Sequence, residues 1–117
     1  MVKQGEVYWV DFGEPQGSGV GYRRPAVIVQ NNLANESLVP TVIVCPVTSN
    51  LRYSRVPGCV TLDAGEANLP YPSLVRAVDI IAIDKKALEE PIGKLGQRRT
   101  RAVIEAIKAL IEPREPQ

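Results

Sequence analysis

Arg23-Arg24-Pro25 and Thr48-Ser49 are the two short runs whose side chains could act together on a phosphate. A guanidinium offers a planar fork of N–H donors that matches two phosphate oxygens at once. Hydroxyls at a strand end can hold a further oxygen. Arg24 stands where a glycine-rich loop enters a strand made rigid by its proline, and the glycines beside it let a ligand approach the main chain closely. The competing roles are structural: an arginine bonding loop carbonyls, and a hydroxyl capping its own turn. Arg76 ends the apolar run Ser73-Leu74-Val75, which places it at a rim. There a salt bridge to Asp79 or Asp84 competes with a substrate contact. Arg52 and Arg55 flank Tyr53, forming either a basic-aromatic patch that could stack a base or a solvated loop.

What the chain lacks narrows the chemistry further. It has no histidine, which removes the commonest general base, the usual metal ligand and every Ser-His or Cys-His nucleophile pair. Cys45 and Cys59 have no metal spacing and are expected to be free, buried thiols, and the scattered carboxylates match no ligand pattern. No metal or cofactor is therefore expected. Fourteen Lys and Arg against thirteen Asp and Glu leave a net charge of +1, so a polyanionic partner must be met by a local cluster rather than by bulk charge. No apolar run approaches a membrane span, and residues 1–5 lack the apolar core of a signal peptide, which leads to an expectation of a cytoplasmic protein.

These side chains need a scaffold. At 117 residues the chain can bury about two-thirds of its unfolded surface, enough for one core, and a single domain over residues 1–117 is expected. Glu6 to Phe12 reads as a strand with too many bulky residues for one buried face, covered on both sides by the core and by a partner or helix. Residues 13–21 hold four glycines and a proline and form a mobile loop. Strands are expected at 25–30 and 41–45, with Pro46 marking an edge or strand end that leaves Thr48 and Ser49 free of the sheet. Further strands are expected at 59–62, 73–76 and 80–83. Residues 84–88 suggest one helical turn. From Gln97 to Ile111 the residues Ala102, Val103, Ala106, Ile107, Leu110 and Ile111 form an apolar stripe of helical period, opposite Arg98, Arg99, Arg101, Glu105 and Lys108, and Pro113 ends the helix. The fold class is mainly β (α+β), a small barrel or sandwich closed by a C-terminal amphipathic helix.

In their order, Gly5-Glu6-Val7-Tyr8-Trp9-Val10-Asp11-Phe12, Gly17-Ser18, Arg24-Pro25-Ala26-Val27-Ile28-Val29, Val44-Cys45-Pro46-Val47-Thr48-Ser49 and Ile83-Asp84-Lys85 resemble the MazF/PemK toxins of bacterial toxin–antitoxin pairs. The resemblance covers almost the whole chain. It implies an SH3-like β-barrel of the CcdB/PemK kind and a homodimer. It also implies a ribosome-independent, metal-free endoribonuclease that cuts single-stranded RNA at short sequences, leaving 2′,3′-cyclic phosphate and 5′-hydroxyl ends. A cognate antitoxin with a flexible acidic segment is the implied partner, and no membrane is involved.

In this frame the catalytic residues fall on Arg24 and Thr48. The candidates for substrate contact are Ser18, Gly21, Arg23, Ser49, Asn50 and Arg76. The acidic residue and the glutamine that many members carry after the loop serine are Gly19 and Val20 here, the PemK-type loop histidine is Ser18, and the acidic residue two places after the later arginine is Val78, with Asp79 next. The general base is thus left without an assigned residue. Two other functions fit the same barrel. A gyrase-poisoning toxin would need a C-terminal Trp-Gly-Ile-like grip, whereas this chain ends Glu112-Pro113-Arg114-Glu115-Pro116-Gln117. A barrel that only binds RNA would need no proton transfer.

Overall fold

In the computed structural model, which describes residues 1–19 and 21–116, β1 (Glu6–Asp11), β2 (Arg23–Ile28) and β3 (Thr41–Thr48) form the centre of a seven-stranded antiparallel sheet. A one-turn α1 (Asn32–Asn35) links β2 to β3. The order is β4 (Cys59–Leu62), β5 (Ser73–Arg76), β3, β2, β1, β7 (Leu88–Lys94), and β6 (Ile81–Asp84) also pairs with β3. The ladder does not close on itself; it curls around its cores in a barrel-like manner. The C-terminal α2 (Gln97–Ile111) has the bounds its periodicity predicts.

Strand alternation sends residues to two cores. Val7, Val27, Val29, Cys45, Val47, Leu62, Val75 and Ala77 face one side, where Val103 of α2 completes a dry aliphatic cluster. Val10, Ala26, Ile28, Val42 and Val44 face the other, backed by Tyr8, Phe12, Ile83 and Leu88. The two-sided covering expected of β1 is therefore met within the chain, since Val7 and Val10 belong to different cores.

Three expectations need correction. β2 begins at Arg23, not Pro25, because Arg23 and Arg24 already pair with Asp11 and Val10 of β1. β3 does not stop at Pro46 but continues to Thr48, so Thr48 is the last residue of the sheet and Ser49 lies beyond it. The proline is tolerated because β3 changes partner there: β6 pairs with residues 41–44 and β5 with 47–48, so that edge has no ladder pair at Cys45 and Pro46. Finally, β7 was hidden by its charges, its Pro91 and its Gly93. Those features suit an edge strand, where a missing donor costs little, and β7 pairs with β1 through register shifts. The stripe of α2 is buried or half-buried from Ala102 to Ile107, while Leu110 and Ile111 overhang the core and are exposed.

Candidate active site

Arg24 reaches its position through the ladder. It pairs with Val10 of β1, and on the other side the β2–β3 register runs Ile28↔Val44, Val27↔Cys45, Ala26↔Pro46. Two residues further along the same register, Arg24 stands opposite Thr48. Facing residues of neighbouring antiparallel strands have Cα atoms about 4.5–5.5 Å apart and project to the same side. On the far side of β3, Thr48 pairs with Leu74 of β5, and Arg76 follows two residues later on the same face. Arg24, Thr48 and Arg76 thus emerge from three adjacent strands at one end of one sheet face, the face away from α2. Residues that are 24 and 52 positions apart in the chain are brought together by pairing alone.

Each side chain is held by one atom and leaves others unspent. Arg24 is half-buried, and its Nε donates to the Gly21 carbonyl at 3.0 Å. No described partner engages the two terminal nitrogens of the guanidinium. The Thr48 Oγ1 accepts from the Asn50 backbone N–H at 3.1 Å, which leaves the hydroxyl proton free to donate. The two structural roles weighed against catalysis are therefore both present, and each fixes the group's direction without consuming the donors a phosphate would use.

The loop contributes by constraint. Gly21 is buried, and a Cβ there would collide with the Pro15 ring. Only glycine can present its carbonyl to Arg24 from this position. The loop's neck is tied by the Phe12 N–H donating to the Tyr22 carbonyl at 2.9 Å and by the Tyr22 N–H donating to Gly13, with Tyr22 held at a φ of 63°. For a bulky residue that conformation is strained. Val20 lies outside the described residues.

Arg76 and Asp79 form an ion pair with Nε and Oδ2 only 2.5 Å apart and with both side chains about four-fifths buried. The N–H does not align with the oxygen, so the contact is Coulombic, and neither atom has a hydrogen-bond partner. Tyr53 stacks beneath the Arg76 guanidinium at 5.0 Å. The tyrosine read as a platform between Arg52 and Arg55 thus serves Arg76 instead. Burial pushes the Cys59 thiol, cross-strand from Arg76, above its usual range; Arg76 opposes that shift and Asp79 adds to it. Burial and the Asp79 charge push Cys45 up to about 12, so both cysteines are neutral, free thiols at pH 7.

The remaining candidates disperse. Arg23 alternates to the opposite face, where it stacks on Trp9 at 4.4 Å and pairs with Glu89 at 2.7 Å. Asn50 caps the 3₁₀ turn at Leu51–Tyr53 by accepting from the Arg52 N–H at 3.1 Å. Ser49 is exposed just past β3, and Ser18 is exposed at the loop tip; neither side chain makes a described hydrogen bond. Sequence reasoning missed a cleft of about 450 Å³ between the loop and the segment after β5, lined by Phe12, Glu14, Gln16, Gly19, Asp79 and Ile81 among others. Phe12 and Ile81 lie on the same sheet face as Arg24, the latter through its pairing with Val44. Glu14 is the loop carboxylate of this cleft. Nothing in its Gly/Pro-rich surroundings singles it out in the sequence. No cluster of metal-ligating side chains occurs among the described residues.

Comparison with known proteins bears on this geometry. Residues 3–111 match the family model described as PemK-like, MazF-like toxin of type II toxin–antitoxin system. The chain is 35% identical over 95 residues to endoribonuclease MazF6 of Mycobacterium tuberculosis H37Rv, covering 81% of this chain and 83% of that one. It is 33% identical over 107 residues to endoribonuclease MazF of Staphylococcus saprophyticus, covering 92% and 88%. Among solved structures, a mycobacterial endoribonuclease in complex with its cognate antitoxin superposes with a TM-score of 0.78 at 22% identity over 99% of this chain and all of that one, a likeness of fold.

Proposed function

Since the chain belongs to the PemK-like, MazF-like toxin family of type II toxin–antitoxin systems, we propose that it is an endoribonuclease toxin acting on single-stranded RNA at the Arg24–Thr48 face. The observation that carries the reading is the convergence of a half-buried guanidinium and a strand-end hydroxyl, each anchored by one atom and each with donors to spare. Phosphodiester cleavage by a neighbouring 2′-hydroxyl needs those parts. The 2′-oxygen attacks phosphorus and loses its proton, charge gathers on the equatorial oxygens, and the bond to the 5′-oxygen breaks as that oxygen takes up a proton. The products are a 2′,3′-cyclic phosphate and a 5′-hydroxyl, and no metal is required.

Arg24 supplies the bidentate fork for the equatorial oxygens, and it can hand a proton to the departing 5′-oxygen. It does not serve as the base, because arginine titrates far above neutrality. Thr48 donates to a non-bridging oxygen and keeps the phosphate in line. Glu14, on the loop side of the adjoining cleft, is the candidate proton acceptor, because Asp79 is committed to Arg76. Arg76 over Tyr53 offers a cation and a ring edge to the nucleotide beside the scissile bond. Ser18, Ser49 and Asn50 remain substrate contacts at the rim. Gly21 acts through Arg24, and Arg23 from the neighbouring face. The chain works as one domain over residues 1–117, as a homodimer, in the cytoplasm, and a cognate antitoxin neutralises it.

The test is incubation of the purified protein with a long RNA in EDTA, with Arg24→Ala alongside. Fragments ending in cyclic phosphate from the parent protein and a ~10²–10³-fold slower reaction from the variant are expected. Intact RNA in both samples overturns the reading.

A further inference from the structure

At the opposite end of the sheet from Arg24 lies a second, larger depression. A groove of about 970 Å³ runs between the entry to β1, the end of β7 and the first two turns of α2. Lys94, Arg98 and Arg101 stand around it, Gln4, Asn32, Gln97 and Thr100 add neutral polar groups, and Leu95 and Ile104 supply apolar surface. No carboxylate lines it. None of the three cations is within ion-pairing distance of a described carboxylate, whereas Arg23, Arg76, Arg99, Lys108 and Arg114 all are.

The carboxylates closest to the groove are already engaged. Glu6, cross-strand from Lys94, accepts from the Lys3 N–H at 2.6 Å and from the Tyr8 hydroxyl at 3.2 Å. Glu105, one turn beyond Arg101, pairs with Lys108 at 3.6 Å. In a chain of net charge +1, three unpaired cations around one groove are a local excess. The excess also opposes the fold's own interest. The first turn of α2 carries no acidic residue and has no side-chain cap, so Arg98 adds positive charge where the helix dipole disfavours it. A cluster kept against local stability is what a binding surface looks like.

We infer that this groove receives an extended acidic peptide segment of a protein partner, its carboxylates meeting Lys94, Arg98 and Arg101 and an aliphatic side chain resting on Leu95 and Ile104. Charge complementarity and the mixed floor carry the assignment. Single-stranded RNA is disfavoured as occupant because the groove has no aromatic lining on which a base could stack. The chain's two cation–aromatic pairs, Arg23 with Trp9 and Arg76 with Tyr53, both lie elsewhere. The inference does not depend on the nuclease reading, since no residue is shared between the two sites.

Fluorescence anisotropy on the full chain tests it, with a labelled twelve-residue Glu/Asp-rich peptide bearing a central leucine and, separately, a labelled oligouridylate. The peptide is expected to bind the parent protein and to weaken as salt rises. Arg98→Glu combined with Arg101→Glu should weaken it about tenfold or more, while Arg24→Ala leaves peptide binding unchanged. Thermal melting of the double variant guards against misfolding: acidic residues in the first turns of α2 should hold or raise the midpoint. Lys94→Ala should give a smaller loss in the same direction. Absence of peptide binding, equal binding by the double variant, or a larger loss for the oligouridylate than for the peptide overturns the inference. RNA cleavage that fails while the peptide result holds would count against the nuclease site alone.

Discussion

Arg24 and Arg99 are both partly buried arginines, on opposite faces of one sheet, and they are used in opposite ways. Arg99 donates from Nε to Glu66 at 2.9 Å and from a terminal nitrogen to Glu66 at 2.8 Å and Asp63 at 3.5 Å, tying α2 to the turn after β4. It was read from its helical position as a solvent-face residue; the Asp63–Glu66 turn folding beneath α2 makes it a strut. Arg24 spends one donor on a loop carbonyl and keeps its fork open. Burial and charge alone do not separate a structural arginine from a functional one. The number of donors left unspent does.

The comparison can be broken most sharply by deleting each arginine in turn. Arg24→Ala should slow RNA cleavage by the ~10²–10³ stated above and leave the melting temperature within a degree or two, whereas Arg99→Ala should lower stability by about 1 kcal/mol and leave the cleavage rate of the folded protein unchanged. If the effects exchange places, the distinction fails. Removal of the Thr48 hydroxyl comes next. Thr48→Val keeps the shape and the strand propensity, and loss of one donor to a charged oxygen should slow cleavage by roughly 10–100-fold. A rate equal to that of the parent protein would show that the hydroxyl only caps its turn.

A purely structural counterpart sits under the helix. Val103 is fully buried in the α2 core, and Val103→Ala should cost about 2 kcal/mol in chemical denaturation, with cleavage intact at temperatures where the protein is folded. The smallest effect is a pH dependence. Hydrogen bonds from Arg99 hold the Glu66 carboxyl below its ordinary value, outweighing the burial that pushes it up. A carboxylate depressed in the folded state stabilises above its unfolded pKa and loses that contribution as pH falls through the folded value. Stability of the parent protein should therefore fall below about pH 4.5 more steeply than that of Glu66→Gln, by no more than about 1 kcal/mol. Parallel curves would remove Glu66 as the source.

Much of this architecture was legible from local pattern. The bulky run at Glu6–Phe12, the short apolar runs and the helical stripe each follow from periods of 2 or 3.6, which neighbours in the chain determine. The bounds of α2 could be read because its caps and stops are local: Gly96 before it and Pro113 beyond it. β7 could not, because an edge strand relaxes the composition rules that reveal a strand, and Pro91 and Gly93 mimic a loop. Pro46 misled for the same reason. Its lack of a donor predicts an edge, and only the handover from β6 to β5 shows that a central strand can have an unpaired stretch on one side.

The sequence by itself determined which chemistry was possible: no histidine, two thiols without partners, and an arginine and a threonine at the ends of strands. The resemblance carried by its ordered motifs added where those two residues belong in a family. Whether they meet is not a property of either segment, because the 24 intervening residues contain a loop, a helical turn and most of β3. The register of β2 against β3 decides it, and that register is held by burying Ala26, Ile28, Val42 and Val44 on one face and Val27, Cys45 and Val47 on the other. A slip by one residue would reverse every side chain. The packing of two cores, acting over the whole sheet, is what aims Arg24 and Thr48 at the same side of it.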